Sequence, residues 1–239
     1  MVLLKKLLNK IHRLYIYKSY KKNSDSYIQW LRIKGVSVGD NTIVHDPSAI
    51  TIDVSRPELL RIGSHVYLHK GTTIMTHDWA SWCFVEKYND FIPSHGRVEI
   101  GNNVWLGENV TILKGVTVGD NVIIGAGSIV TRSIPSNTVA VGVPAKIVSS
   151  LDEYYQKRKE QYKQEAIDYC RTLLKHSDSL DVNRFADDYP LFVDKSNYMK
   201  YKFPYSNVFT SDQFELWLKE HSADFHSFEE FVDYCKNYH

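Results

Sequence analysis

An aliphatic residue returns at every sixth position over much of this chain, and this period constrains its fold more than any other feature. The positions are Ile62, Leu68 and Ile74, followed by Ile100, Leu106, Ile112, Val118, Ile124 and Val130. A period of six is neither the roughly 3.6 residues of a helix nor the alternation of a simple strand. It fits short strands joined by tight turns, three strands to a coil, with one aliphatic side chain per strand pointing inward. Stacked coils bury a continuous aliphatic column that no single coil buries alone.

Gly, Asp and Asn stand where such a coil must bend. The sequence reads Val38-Gly39-Asp40-Asn41, Ile100-Gly101-Asn102-Asn103 and Val118-Gly119-Asp120-Asn121. These residue types accept the backbone conformations of tight turns. The period and the turns together predict a mainly β fold, a parallel β-helix of six-residue repeats, over residues 31–148.

The period breaks once, between Ile74 and Ile100, which lie 26 residues apart instead of a multiple of six. A long excursion loop, residues 76–97, therefore leaves the coil. Loops of this length in compact domains are usually functional. Two histidines and five aromatic residues lie in it: His77, His95, Trp79, Trp82, Phe84, Tyr88 and Phe91.

The repeat is flanked by two segments of different character. Residues 1–30 carry seven lysines or arginines before Asn23 and apolar residues at helical spacing, which predicts a basic amphipathic N-terminal helix. Such a helix lies either on the inner membrane face, as a peripheral contact with anionic lipid, or against the body of the protein. Residues 151–239 lose the period of six, and their helix-like stretches, which include residues 214–219 and 228–238, predict an α-helical C-terminal appendage.

Composition disfavours several classes of function. A formal net charge of +1 argues against nucleic-acid binding, which depends on many cations. Cys83, Cys170 and Cys235 are far apart and form neither a disulfide framework nor a zinc site, so a reducing compartment is expected. The chain shows no apolar run of about 20 residues and no signal-peptide cleavage site. We therefore expect a cytoplasmic protein without a metal.

Residues 100–148 resemble the last coils of the hexapeptide-repeat acyltransferases; they read IGNNVWLGENVTILKGVTVGDNVIIGAGSIVTRSIPSNTVAVGVPAKIV. The resemblance extends over residues 38–148. It is strongest to the branch that holds maltose, galactoside, xenobiotic and capsular-polysaccharide O-acetyltransferases. It implies a left-handed β-helix, assembly as a homotrimer, and acetyl-CoA bound between neighbouring subunits as a co-substrate.

The same resemblance implies catalytic residues. His77, in Thr76-His77-Asp78, matches the family's catalytic histidine, which lies at the start of the loop. Trp105 matches a tryptophan near that histidine or the pantetheine arm, and so counts as both a catalytic and a CoA-binding candidate. A histidine suits acetyl transfer to a hydroxyl, because a base must remove the hydroxyl proton as the ester bond forms. The transfer is then a direct attack with no acyl-enzyme.

The CoA-binding residues implied by the resemblance lie in the last coils. The backbone amide of Glu108 matches a contact to the thioester end of CoA, and it is the candidate donor to the oxyanion. Ala126 matches a backbone contact to the pantetheine. Thr131 and Arg132 match a pair at the nucleotide end, and Lys146 matches a basic residue near the phosphates.

Alternatives remain within the loop and the coils. His95, at the far end of the loop, is the second candidate base. Asp78 is interpreted as a surface carboxylate or as a group that orients His77. Cys83 is interpreted as an ordinary loop thiol in preference to a nucleophile, because nothing in its surroundings predicts a lowered pKa. Three further histidines are interpreted as turn or surface residues: His45, His65 and His69.

The acceptor is expected to be a saccharide, specifically a bacterial capsular or other surface polysaccharide. Trp79, Trp82 and Tyr88 are the candidate platform for a sugar ring; the alternative is that they attach the loop to its own or a neighbouring subunit. Transfer to the amino group of an amino sugar is the second hypothesis. Two others come from different classes: a metal enzyme like the γ-type carbonic anhydrases, and a non-catalytic assembly module.

Overall fold

The computed structural model of the chain describes residues 20–177, 179–201, 203 and 209–237. The chain divides into two compact units, Met1–Tyr155 and Gln156–His239. Within the described residues, no helix combines the length and the apolar character needed to cross a membrane.

The first unit opens with a short helix that packs on the coil. A 3-10 turn, Tyr20–Lys22, precedes helix α1 (Ser24–Lys34). The Asn23 side chain accepts a hydrogen bond from the Ser26 amide at 2.9 Å, and the Asn23 backbone is extended, so the helix begins at Ser24. The expected N-terminal helix is thus present in the described residues, but there it runs from Ser24 to Lys34. The remainder of that prediction, residues 1–19, lies outside the described residues.

Three sheets of short strands form the body of this unit. The first contains β1 (Ser37–Val38), β4 (Leu60–Ile62), β9 (Val98–Ile100) and β12 (Thr117–Val118). The second contains β2 (Ile43–Val44), β5 (Val66–Leu68), β10 (Val104–Leu106), β13 (Val122–Ile124), β15 (Thr138–Val141) and β16 (Lys146–Ser150). The third contains β3 (Thr51–Ile52), β6 (Thr73–Ile74), β11 (Thr111–Ile112) and β14 (Ile129–Val130). Two 3-10 turns, Pro47–Ala49 and Pro57–Leu59, lie between strands of the early coils.

Successive strands enter successive sheets, so three strands complete one coil. Neighbouring strands within a sheet pair in parallel, apart from the antiparallel pair β15–β16. In the regular coils, paired residues are 18 positions apart, three periods of six, as in Val104 opposite Val122. All nine residues of the six-residue period are 1% exposed or less. The inward-pointing aliphatic column expected from the sequence is confirmed.

A second inward column lies two residues before the first. It is mostly valine, as at Val66, Val104 and Val122, each 1% exposed or less. Two of its members are polar, and both are satisfied by nearby backbone. The Thr72 hydroxyl donates to the His69 carbonyl at 2.7 Å, and the Ser128 hydroxyl donates to the Gly125 carbonyl at 2.6 Å. The core therefore contains these hydroxyls without an unpaired buried group.

Asparagines occupy one corner of the coil, coil after coil. Asn103 and Asn121 have φ of 53° and 56°, a left-handed conformation that asparagine tolerates better than most residues. Their side chains form a ladder: Asn103 donates to Asn121, and Asn121 donates to Asn137, both at 2.9 Å. Near the same corner, a Cβ on Gly101 would lie 2.6 Å from the Gly119 carbonyl oxygen, so the close spacing of the coils requires glycine there.

The excursion loop has secondary structure of its own. Strands β7 (His77–Asp78) and β8 (Ser94–His95) pair antiparallel, and helix α2 (Ser81–Tyr88) lies between them. The Gly96 amide donates to the Thr76 carbonyl at 2.9 Å, which closes the base of the loop. The buried Ser81 hydroxyl donates to the Ile92 carbonyl. The loop is thus a two-stranded ribbon with a helix at its tip.

The second unit is helical. Helix α3 (Leu151–Leu174) begins in the first unit and continues into the second, which also contains α4 (Ser211–Glu220) and α5 (Phe228–Asn237). Short 3-10 turns lie between the long helices: Val182–Phe185, Tyr189–Leu191 and Tyr198–Lys200. The core is aromatic, with Phe185, Phe192 and Phe231 fully buried. Cys170 and Cys235 are buried in this core as free thiols.

Candidate functional site

The point where the loop leaves the third sheet brings together residues that are distant in sequence. Strand β3 pairs with β6, so that Ile52 lies opposite Ile74. The Asp53 amide continues the ladder by donating to the Ile74 carbonyl at 2.9 Å. This register places Asp53, from one coil, beside Thr76 and His77, from the next.

Asp53 and His77 form the central contact of the site. The His77 Nδ1 atom lies 2.5 Å from Asp53 Oδ2, and the Ser55 hydroxyl oxygen lies 3.3 Å from the same nitrogen. The two side chains are 21% and 14% exposed, so the pair is shielded but reachable from solvent. Because Nδ1 donates to the carboxylate, Nε2 is the nitrogen that remains to exchange a proton with a substrate.

Hydrogen bonds keep the Asp53 carboxyl ionised. Burial alone would raise its pKa, but hydrogen bonds from Thr76, Ser55 and His77 outweigh burial and hold the pKa well below its usual range. Asp53 Oδ2 accepts from the Thr76 amide at 3.1 Å and from the Thr76 hydroxyl. Asp53 Oδ1 accepts from the Ser55 amide at 3.0 Å and the Ser55 hydroxyl at 2.7 Å. This network leaves a fixed negative charge against the imidazole.

Asp78 has a different partner from the one considered in the sequence. Its carboxylate pairs with the Lys114 ammonium group and accepts from the Ala80 amide at 3.1 Å. The hydrogen bond from Lys114, followed by that from Ala80, lowers the pKa of Asp78. Asp78 therefore anchors the start of the loop to the coil that carries Lys114, and Asp53 is the carboxylate that contacts His77.

The second candidate base, His95, lies opposite His77 in the β7–β8 ribbon. Its side chain is exposed, whereas that of His77 is partly buried against Asp53. Cys83 lies exposed on α2. Of these loop residues, His77 is the one with the geometry of an oriented base.

The three aromatic residues proposed for the acceptor lie in two parts of the loop, Trp79 just after β7 and the other two on α2. The Trp79 ring centroid lies 6.1 Å from that of His77, with the ring planes at 81°, and 6.2 Å from that of Phe91. Trp82 and Tyr88 lie on α2, six residues apart, which separates them by about 120° around the helix axis. Trp79 is thus beside the histidine, whereas Trp82 and Tyr88 lie on different sides of α2.

Trp105 lies on a different sheet from the one that leads to His77. It is part of β10 in the second sheet, is 39% exposed, and its ring centroid lies 5.0 Å from that of His69. It borders a groove of about 420 Å³, the Trp105 groove, whose lining includes His65, Tyr67, Asn103, Trp105 and Tyr154. Within one chain, the Trp105 groove and the Asp53–His77 pair are on separate faces of the coil.

Histidines of the second sheet stack on one another. The rings of His45 and His69 are 4.5 Å apart and nearly parallel, at 8°. Burial, and then the nearby His45, lower the pKa of His69. His69 is therefore a partly buried packing residue, while His45 and His65 are exposed.

The residues implied for CoA binding follow the strands of the last coils. Glu108 and Ala126 occupy equivalent turns, where the Gly127 amide donates to the Glu108 carbonyl at 2.8 Å. In the part of the chain that the structure describes, neither the Glu108 nor the Ala126 amide donates a hydrogen bond to another protein atom. Both amides are free to meet a ligand. A Cβ on Gly107, the residue before Glu108, would lie 2.6 Å from the Ala126 nitrogen.

The cations expected at the nucleotide end are accessible. Thr131, Arg132 and Lys146 are exposed, and Lys146 begins the last strand of the second sheet. Glu108 itself pairs through its carboxylate with Lys70 at 3.4 Å, which leaves its backbone amide uninvolved. Across the described ranges, no three His, Cys, Asp or Glu side chains are grouped so that they could hold a metal ion.

Asp53 and Ser55 were not identified from the sequence. The period of six begins at Ile62, and the coil before it is irregular, so its register with the next coil could not be fixed. The available signal was the repeated pair Thr51-Ile52 and Thr73-Ile74, whose members are paired in the structure. Aligning these pairs would have placed Asp53 beside the start of the loop.

Comparison with known proteins identifies several relatives of this chain. Residues 97–132 match the family described as bacterial transferase hexapeptide, six repeats. The chain is 42% identical to CapG of Staphylococcus aureus over 127 residues, which are 53% of this chain and 73% of CapG. It is 51% identical to the galactoside O-acetyltransferase of Escherichia coli K12 over 56 residues, 23% of this chain and 28% of that protein.

A hexapeptide-repeat acetyltransferase of Vibrio cholerae, solved in complex with acetyl coenzyme A, is similar over 48% of this chain and 60% of its own. The identity is 26% and the TM-score 0.36. The CapG match covers most of that relative at an identity that marks common descent. The chain belongs to the bacterial transferase hexapeptide family.

Proposed function

We propose that the protein is an acetyl-CoA-dependent O-acetyltransferase that acts on a hydroxyl of a saccharide, with His77 as general base. The observation that carries this proposal is the 2.5 Å contact between His77 Nδ1 and Asp53 at the mouth of the loop. A carboxylate on one imidazole nitrogen fixes the tautomer and leaves the other nitrogen to act on substrate.

The chemistry assigns one step to each group. His77 Nε2 takes the proton of the acceptor hydroxyl as its oxygen attacks the thioester carbonyl. The Glu108 amide donates to the oxyanion that forms on that carbonyl. The C–S bond then breaks, and the imidazolium returns its proton to the departing CoA sulfur. Asp53 stabilises the imidazolium between these two proton transfers.

The donor is proposed to lie along the last coils. The free amides of Glu108 and Ala126 suit the carbonyl and amide groups of the thioester end and the pantetheine. Thr131, with the exposed cations Arg132 and Lys146, suits the phosphates at the nucleotide end. Family membership supports an acyl-CoA donor for this arrangement.

The proposed assembly is a homotrimer of left-handed coils with the site between subunits. Trp105 and His77 lie on different sheets of one chain. A site that uses both is completed by a neighbouring subunit. The Trp105 groove of one subunit would then face the Asp53–His77 pair of the next.

The acceptor is proposed to be a capsular or other surface polysaccharide, or a precursor of one. The similarity to CapG and to a galactoside O-acetyltransferase supports a saccharide. We propose that the protein works in the cytoplasm, with residues 1–22 as a peripheral contact to the inner membrane face. The seven basic residues of that segment support an attraction to anionic lipid.

The test is acetyl-CoA turnover, followed by release of the CoA thiol, with a panel of methyl glycosides, oligosaccharides and amino sugars. Thiol release with hydroxyl acceptors, and a product that mild base hydrolyses, is the expected result. A base-stable product formed only from amino sugars would replace O-transfer by N-transfer. No thiol release with any acceptor, together with no binding of acetyl-CoA, would rule out the enzyme.

A further inference from the structure

We infer that Trp79 is the surface on which the acceptor's sugar ring stacks, so that the acceptor is a pyranoside and not an open-chain alcohol. The inference rests on the proposed function, and it goes beyond it by naming both the contact and the shape of the acceptor.

Trp79 is held in place beside the base. The residue before it, Asp78, is fixed by Lys114 and by the Ala80 amide, and His77 is fixed by Asp53. The Trp79 carbonyl accepts from the Trp82 amide at 3.2 Å, which joins it to the start of α2. The Trp79 backbone is therefore restrained on both sides, and the indole needs little ordering to receive a ligand.

The indole is nonetheless uncovered. Trp79 is 59% exposed, although Phe91 contacts it at a ring-centroid distance of 6.2 Å. Single exposed apolar residues are ordinary on protein surfaces, so Trp79 is assigned this role because of its place beside His77. Trp82 is similarly exposed, at 66%, but it lies on α2, and among the described residues its ring makes no contact with that of His77. Position beside the base distinguishes Trp79 from the other exposed aromatic residues of the loop.

The ring geometry fits a stacked sugar. The indole and imidazole planes are nearly perpendicular, at 81°, with centroids 6.1 Å apart. A pyranose lying flat on the indole presents its C–H face to the aromatic ring and carries its hydroxyls at its edge. The imidazole borders that edge, so one hydroxyl is brought within reach of His77. A serine-like or linear alcohol offers no such C–H face and would gain little from the indole.

The experiment compares four proteins: the full-length chain, Trp79→Ala, Trp79→Phe and Trp82→Ala, with methyl glycosides of galactose and glucose as acceptors. Trp79→Ala is expected to raise the KM for the glycoside roughly tenfold or more, because a stacked aromatic surface is lost. The KM for acetyl-CoA should change far less. Trp79→Phe keeps a smaller ring and should recover much of the loss, and Trp82→Ala should raise the glycoside KM less than threefold or so.

Two kinetic outcomes would overturn the inference. One is a Trp79→Ala variant that loses kcat at an unchanged glycoside KM, which would make Trp79 a support for His77. The other is an equal rise in KM for Trp79→Ala and Trp82→Ala. Circular dichroism and thermal melting of each variant separate these results from unfolding.

Binding without turnover distinguishes failure of this inference from failure of the proposed function. Saturation-transfer NMR with the same methyl glycosides needs no acetyl-CoA. A signal in the full-length chain that Trp79→Ala abolishes supports the stacking contact even if no acetyl transfer is found. A signal unchanged by Trp79→Ala, or no signal at millimolar glycoside, contradicts the contact even if acetyl transfer to another hydroxyl is found.

Discussion

The chemistry of a histidine side chain depends on the hydrogen-bond partner of the ring nitrogen that does not face the substrate. In this chain, Asp53 accepts from His77 Nδ1 and is itself supported by Thr76 and Ser55. The support matters because a carboxylate at this depth would otherwise gain a proton more readily. The proposed base is thus held in place by residues of two coils, and replacing His77 or Asp53 has a separately measurable consequence.

Replacing His77 by Ala should lower turnover by at least 10², the effect expected for the loss of a general base. Affinity for acetyl-CoA should change little, because backbone amides and distant cations are proposed to bind the donor. Steady-state kinetics and calorimetry with acetyl-CoA measure the two effects separately. His95→Ala is the matched control on the facing strand. A dead His95→Ala variant beside an active His77→Ala variant would assign the base to the other end of the loop.

Replacing Asp53 by Asn should lower kcat by at least tenfold, since the amide can present its N–H to the ring and favour the wrong tautomer. The same variant tests the ionisation of Asp53 through stability. The folded-state pKa lies below the unfolded value of about 3.9, so the carboxylate stabilises the fold above that pH. This contribution is lost as the pH falls toward the folded-state pKa.

The measurement is urea unfolding of both proteins at pH 6 and near pH 3. The free-energy advantage of the natural chain over Asp53→Asn should be present at pH 6 and should shrink toward pH 3. An advantage that is constant, or that grows as the pH falls, would contradict an ionised Asp53 in the folded protein.

At the scale of elements, the asparagine ladder joins one coil to the next. Asn121 has φ of 56°, and its side-chain amide accepts a hydrogen bond from Asn103 and donates one to Asn137. Replacement by Ala removes both bonds and puts at this position a residue that tolerates the left-handed backbone less well than asparagine. Together these two changes should lower the free energy of unfolding by about 2–3 kcal/mol. Replacement by Gly removes the bonds but relieves the backbone. The Gly variant should therefore be about 1 kcal/mol more stable than the Ala variant in denaturant unfolding. Equal stability would show that the corner carries no conformational constraint.

The period of six was enough to predict the inward column, the turn residues and the position of the loop, because each of these repeats along the sequence. The secondary structure inside the loop does not repeat. Its helix depends on tertiary contacts, such as that of Ser81 with the Ile92 carbonyl, which the sequence does not display. The pairing of Asp53 with His77 was also missed, since it follows from the register of an irregular early coil.

At the N-terminus, by contrast, the sequence does contain the signal for where the helix begins. The basic and apolar pattern of residues 1–30 predicts a helix, and the described residues contain one, but it begins at Ser24, after the extended backbone of Asn23. Asparagine is a strong N-cap residue, with Asp25 in the first turn after it, so the sequence did contain the signal.

At the scale of the whole molecule, the Asp53–His77 pair and the Trp105 groove lie on different faces of one chain. The proposed function uses both, and we propose that a neighbouring subunit brings them together. In a homotrimer with head-to-tail interfaces, each subunit lends His77 to one neighbour and Trp105 to the other.

Mixed trimers of two impaired variants test this arrangement directly. His77→Ala and Trp105→Ala, each alone, should lose most activity at low acetyl-CoA. When the two are co-expressed with different tags and mixed trimers are purified, some sites combine His77 of one variant with Trp105 of the other. Each mixed trimer, whichever variant it holds twice, has one site of three with both natural residues, so the purified mixed trimers should regain about a third of natural activity. Mixed trimers with no more activity than the variants alone would mean that both residues act from the same chain. A sedimenting monomer with full activity would contradict a shared site altogether.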